Sequence, residues 1–442
     1  IMPDPSWKKI STGLEADPDD PFLLSSPNYD ILADSPIEIG NQDVIRFTAA
    51  GVPHEVAIFG GGEYTREGVV EGFTKVIEEQ TAVFGENPCE RYVFIVHFLA
   101  SGGGGLEHLN STTLQFSRGR LGSEKGWASF MGLVAHEYFH LWNVKRLRPI
   151  ALGPFDYGTE NYTHMLWFSE GFTAYYDDWT VRRTGFATPE EYLVTLAGVI
   201  GTVENTPGNL VQPVADASFD AWIKYYRPNE NSYNTTVSYY SKGAILGLLM
   251  DMAIRKSSQG KQTLDDFMRY MYEKYYKQLD RGFKDEEFKK EAIKFAPALD
   301  GFFEKYVWGT ETIPYNDFFS TVGLKLVDSP AHEDEPYLGA SLQRVDQGFV
   351  VTRVVRGSAA WKYGLNVNDL IVSANGRRTS DQSDLLQGTS PGDRISVKLV
   401  RDGQLRDVEL VLGGNPQRSF RFEFLKDATT QQKVNYKNWM GM

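Results

Sequence analysis

The chain has 442 residues, roughly three times the usual size of one domain, so several domains are expected rather than a single core. Apolar residues at 41%, charged residues at 23% and aromatics at 13% describe a folded chain and exclude a disordered one. With 58 Asp and Glu against 45 Lys and Arg the net charge is −13, which argues against nucleic acid and anionic membrane surfaces as partners. A single cysteine, Cys89, excludes an intrachain disulfide and any multi-cysteine metal cluster.

From the front, Ile1–Trp7 lacks the charged and apolar regions of a signal peptide, and residues 1–36, rich in Pro, Asp and Ser, read as a linker or ragged end. The chain opens without an initiator Met, as if an upstream part had been removed. Val44–Phe47 and Val56–Phe59 flank a turn and are expected to pair as strands. Helical spacing covers 66–84, and Arg91–Leu99 is the clearest strand, broken by Gly102–Gly105 and followed by a strand at Thr112–Phe116. After Gly126 the pattern is mostly helical to about residue 320. The apolar run Gly243–Met250 is stopped by Asp251, so it reads as a buried helix rather than a membrane span. From about residue 336, short apolar runs alternate with Asn-Gly, Pro-Gly and Asp-Gly turn pairs, the signature of a small β-rich domain. The last 25 or so residues are polar and show no readable pattern.

The sharpest motif is His136-Glu137-Tyr138-Phe139-His140. On a helix the two imidazoles stand one turn apart on one face and can share a Zn²⁺, with Glu137 beside them to take a proton from a zinc-bound water. Two satisfied core histidines are the bland alternative. Asn143 and Arg146 stand where a metzincin would have Gly and His, which excludes that class. Zinc needs a third ligand. Glu170, inside the aromatic run Leu166–Tyr176, is costly there unless paired or metal-bound, whereas its rival Glu160 has solvated neighbours.

The pairing of His136–His140 with Trp167-Phe-Ser-Glu170-Gly-Phe resembles the gluzincin aminopeptidases of the aminopeptidase N type. The words around it, His-Glu-Tyr-Phe-His-Leu-Trp-Asn-Val-Lys-Arg and Gly153-Pro-Phe-Asp-Tyr157, resemble more closely the glycyl aminopeptidase family, which carries a C-terminal PDZ domain. Ala174 stands where thermolysin has an Asp, against a thermolysin-type endopeptidase. Gly104-Gly105-Leu106-Glu107-His108 resembles the family's exopeptidase word, which implies that Glu107, with Gly104, Gly105 and His108, holds the substrate's N-terminus. Tyr239-Tyr240-Ser-Lys-Gly243 resembles the word whose Tyr stabilises the tetrahedral intermediate, which implies that role for Tyr240. Read without the resemblance, the first is a hairpin turn with a surface Glu and the second a core aromatic. Tyr337-Leu338-Gly339-Ala340, Val354–Ala360 and Gly364–Ile371 look like a bacterial protease PDZ domain, whose Leu338-Gly339-Ala340 turn would receive a peptide carboxylate, or whose groove is filled or unused.

The resemblance implies an α+β fold: a thermolysin-like zincin domain with a mainly helical second half, then a small β-rich PDZ domain. The expected division is 1–40 linker or remnant of an N-terminal β-domain, 41–205 zinc catalytic subdomain, 206–328 helical subdomain completing the cleft, 330–415 PDZ domain and 416–442 tail. It also implies a one-zinc aminopeptidase releasing Gly or Ala from peptides with a free N-terminus; the compartment, a bacterial-type cytoplasm or periplasm, is left open by the sequence. The alternatives are a zinc endopeptidase whose PDZ domain tethers substrates, and a PDZ scaffold with an inactive site.

Overall fold

The computed structural model describes residues 1–378, 381 and 385–442. Strand β1 (Asp43–Ala49) turns through Ala50 and Gly51 into β2 (Val52–Phe59), antiparallel to it. Both turn residues have positive φ (49° and 77°), the geometry that matches the twist of a tight hairpin. Helix α1 (Arg66–Phe84), capped by Thr65, crosses over so that β3 (Tyr92–Leu99) lies parallel to β2. Strand β3 is buried on both faces, as its unbroken apolar run requires. Then β4 (Gly103–Glu107) and β5 (Ser111–Ser117) complete a sheet of order β1-β2-β3-β5-β4, with β4 at the edge. The glycine run expected only to break a strand therefore forms one.

Four helices build the other wall. Helix α2 (Glu124–Phe139) starts at Ser123, whose side chain accepts from the Gly126 N–H, and carries the histidine motif at its end. Helices α3 (Leu166–Arg183), α4 (Pro189–Glu204) and α5 (Tyr239–Ser257) follow. Where α3 meets α5, a Cβ on Gly171 would lie 2.4 Å from the Gly243 Cα, so only glycine lets the two backbones approach this closely. That contact brings Glu170, next to Gly171, and Tyr240, about one turn before Gly243, into one site.

The C-terminal module has its own core, which includes Leu338, Phe349, Ile371, Val397 and Leu399. Its sheet runs in the order β7 (Ala340–Val345), β8 (Gly348–Val354), β9 (Leu370–Ala374), β10 (Arg394–Arg401), β11 (Gln404–Val411), after β6 (Leu324–Pro330) at the end of the catalytic part.

Two expectations are corrected here. The front is not a loose linker but carries short strands, which agrees with the other expectation, a remnant of a β-domain: Lys9–Thr12 pairs antiparallel with Ile37–Gly40, and Asp34 accepts from the Leu109 N–H at 2.8 Å and pairs with Lys145 at 2.7 Å. Nor are the last residues a patternless tail. Strand β12 (Arg418–Phe424) pairs with β6, and helix α6 (Thr430–Trp439) follows. Its Trp439 is fully buried, donates to the Tyr175 hydroxyl at 3.2 Å, and its carbonyl accepts from Trp179 at 3.1 Å. Burying one such aromatic stabilises by about 1.5–3 kcal/mol, enough to hold a short terminal helix.

Candidate metal centre and substrate cleft

His136 and His140 leave α2 on one face, their ring centroids 4.9 Å apart. The Glu170 Oε2 lies 3.3 Å from His136 Nε2 and 3.4 Å from His140 Nε2. Ligands at about 2.0–2.2 Å from a tetrahedral ion stand about 3.3–3.6 Å from one another, so the spacing suits Zn²⁺. Tautomers point the same way. The Asn143 carbonyl, 2.7 Å from His140 Nδ1, can only accept, so Nδ1 is the donor and Nε2 keeps its lone pair in the neutral ring. His136 Nδ1 is held likewise by Asp177 Oδ2 at 2.8 Å. Two imidazole lone pairs facing one carboxylate oxygen call for positive charge between them. Protons or a metal ion can supply it.

The electrostatics record that demand. Burial opposes charge on both rings, yet Glu107 and Glu170 push His140 up to about 9, and hydrogen bonds that His136 gives to Asp177 and Glu170 raise it well above its usual value. Burial also opposes the Glu170 charge, but the two imidazoles outweigh it and hold that carboxyl below the usual range. Glu137 is the contrary case: burial pushes it up to about 7. Its Oε2 has no hydrogen-bond partner, an orphaned acceptor beside the three ligand atoms. A Cβ on Gly105 would fall 2.4 Å from the Glu137 carboxyl carbon, so the edge strand passes this close only because the residue is glycine.

The structure brings most of the expected site residues together. The ligating atoms of Glu107, Glu137 and His140 lie within 4.8 Å of one another, as do those of His136, His140 and Glu170. Tyr240, the second residue of α5, stacks 6.2 Å from the His136 ring, and its hydroxyl is 3.3 Å from that of Tyr226. Burial, then the Glu170 charge, raises the Tyr240 phenol, so it stays protonated as a donor. Gly104 and Gly105 line the cleft beside Glu137. His108 does not join them. Successive strand residues face opposite ways, so the residue after Glu107 turns inward, where its ring meets Asp34 at 3.2 Å. That is a correction to its expected substrate-binding role. Glu160 is exposed in the loop before α3.

Sequence reasoning missed Asp177 and Asn143. Asp177 follows Glu170 by seven residues, two turns on the same face, which was a legible signal. Asn143 is fully buried and donates to the Phe168 and Ser169 carbonyls and to Thr173 Oγ1, tying the end of the motif to α3. Only the fold reveals that.

In the C-terminal module, Leu338 is buried and its carbonyl accepts from the Ala360 N–H at 2.8 Å, while the Gly339 carbonyl accepts from the Val355 N–H at 2.8 Å. Ala340 opens β7, the edge strand of that sheet. The module touches the catalytic part through Asn234, which donates to the Val354 carbonyl at 2.8 Å and accepts from the Arg356 N–H at 2.9 Å.

With this geometry in view, the M61 glycyl aminopeptidase family model matches residues 129–246, which hold both histidines, Glu137, Glu170 and Tyr240. Residues 129–246 thus resemble a glycyl aminopeptidase domain of the M61 type. A PDZ domain model matches residues 336–412. The crystal structure of an aminopeptidase N family protein from Idiomarina loihiensis aligns at a TM-score of 0.86 and 28% identity, covering 99% of this chain and 77% of that one. A probable periplasmic serine endoprotease DegP-like of Hahella chejuensis is 41% identical over 73 residues, 16% of each chain. The periplasmic pH-dependent serine endoprotease DegQ of Escherichia coli is 30% identical over 87 residues, 19% of each. The chain thus spans less than a fifth of these curated relatives. The chain therefore has an α+β domain that matches this family and fold, followed by a β-rich PDZ domain. Among the described residues no helix is long and apolar enough to cross a membrane.

Proposed function

We propose that this M61-type peptidase is a zinc aminopeptidase that removes small residues, Gly or Ala, from peptides with a free N-terminus. The observation that carries the reading is Glu107: its carboxylate stands beside Glu137 and His140, with no hydrogen bond or ion pair among the described residues. An unpaired carboxylate next to the reacting centre suits a substrate ammonium, and the family description, glycyl aminopeptidase, supports the small first residue.

His136, His140 and Glu170 would hold the zinc, with Asp177 and the Asn143 carbonyl orienting the two rings. Zinc there supplies a Lewis acid and makes water acidic near neutral pH. Glu137 takes the proton of the attacking water and returns it to the leaving amine. Tyr240, kept protonated, donates to the oxyanion that forms from the scissile carbonyl. Glu107 fixes the substrate's first residue so that its own carbonyl faces Glu137. The free edge of β4 offers backbone groups to the peptide that follows.

The test compares Ala-p-nitroanilide with its N-acetylated form, with and without a chelator. Only the free amine should be cleaved, and chelation should abolish cleavage. Glu107→Ala should lose roughly 10²–10⁴ in kcat/KM on free-amine substrates, as expected for removing one partner of a desolvated pair. Equal cleavage of the acetylated substrate would install the endopeptidase reading instead.

A further inference from the structure

We propose that the cleft beyond the three metal ligands selects peptides whose residues after the scissile bond are basic. This rests on the aminopeptidase reading, which sets the direction of the substrate. Glu107 lies at one end of β4, by Glu137 and His140; Gly105 and Gly104 come next along the strand and line a cleft of ≈ 1160 Å³. A peptide with its ammonium at Glu107 and its first carbonyl at Glu137 therefore continues past Gly105 into that cleft. Pockets for drug-sized ligands measure about 300–1,000 Å³, so several residues fit.

The walls are one-signed. Helix α2 contributes Glu124, α3 contributes Asp177 and Asp178, and the first turn of α4 contributes Glu190 and Glu191. Lys125 is the single Lys or Arg among the described lining residues. Glu191 spends one oxygen on the Thr188 N–H at 2.8 Å, and Asp177 is turned to His136. Glu124 and Glu190 are exposed with no side-chain partner among the described residues. Burial and the Asp177 charge, against the pull of His136, push Asp178 up to about 8, so the charge facing the cleft comes chiefly from Glu124, Glu190 and Glu191.

Two independent features suit this space to a peptide chain. Glu137, 4% exposed, lines the same cleft and keeps Oε2 without a partner. The cleft also borders the edge strand, whose outward backbone groups lack a neighbouring strand. Carboxylates along a cleft focus their field on whatever enters, which raises capture of the opposite charge and repels the same charge.

The zinc-loaded full chain is given Ala-Lys-Lys-Gly, Ala-Gly-Gly-Gly and Ala-Glu-Glu-Gly, and released alanine is measured at low and high salt. The lysine peptide should exceed the glutamate peptide in kcat/KM by on the order of tenfold or more, with the neutral one between. High salt should shrink the ratio because the facing carboxylates are exposed. In Glu124→Gln/Glu190→Gln the ratio should fall several-fold. Alanine released equally from all three peptides would overturn this inference and leave the aminopeptidase reading standing. A lysine preference untouched in the double variant would overturn the assignment to this cleft. No alanine from any peptide, with acetylated substrates cleaved, would bring down the reading beneath it.

Discussion

The catalytic region and the PDZ domain solve opposite problems. The proposed catalytic site is made of side chains from four elements, β4, α2, α3 and α5, which meet only because a large aromatic core brings them together. The PDZ turn and edge strand are backbone, carried by a small separate core. Chemistry on side chains leaves a mark in residue identity, so a zinc motif can be read. Recognition by backbone leaves little, because many sequences make the same turn and edge.

Single substitutions separate the two regions. Glu137→Gln should lower hydrolysis by about 10²–10⁴, the range for a general base, while zinc content by elemental analysis stays at one per chain. Near-normal rates would remove Glu137 from the mechanism. Tyr240→Phe should cost about 10²–10³ in kcat with little change in KM, by analogy with oxyanion donors. An unaltered kcat would make Tyr240 the core aromatic that its half-buried stack also permits.

Next comes the independence of the two cores. Leu399, fully buried in the PDZ sheet, should cost about 2–5 kcal/mol as Leu399→Ala, lowering one calorimetric transition and leaving the other. Hydrolysis of Ala-p-nitroanilide should persist. A single transition that moves as a whole would show that the Asn234 contacts and the β6–β12 pair fuse the regions.

The smallest effect is a pH dependence. Burial between the Val52 carbonyl and the Tyr138 hydroxyl pushes His54 down to about 4 from 6.5. The unfolded chain then binds more protons between those values, so the contribution of His54 is whole above pH 6.5 and is lost as pH falls toward 4. The loss is about 3 kcal/mol at 1.36 kcal/mol per pKa unit. Residues 336–412 contain no histidine, so only the catalytic transition should show it. Chemical denaturation of the parent and His54→Gln from pH 7.5 to about 4 checks this, and parallel curves would refute it.

Much of the fold was legible. The helix over 66–84, the strands before and after it, and the β-rich module follow from periodicity and turn residues. Where the reading fell short, the deciding contacts were distant. Strand β12 alternates Phe420, Phe422 and Phe424 with polar residues, a strand signal whose meaning depends on β6, some ninety residues earlier. His108 sits in the right word but on the wrong face, because alternation along a strand, not adjacency, sets where a side chain points. Asp34, in the supposed linker, is what receives it.

The chemistry on offer is written in the chain: the His136–His140 pair one helical turn apart, an acid between them, and Glu170 in an aromatic helix where an unpaired carboxylate could not rest. Local spacing and the cost of burying charge suffice for that. Tertiary structure alone decided that Glu107 stands free beside Glu137, that Gly105 and the Gly171–Gly243 contact leave room for the site to close, and that carboxylates from three helices share one cleft. Those are distances between elements far apart in the chain, set by packing, which no local pattern encodes.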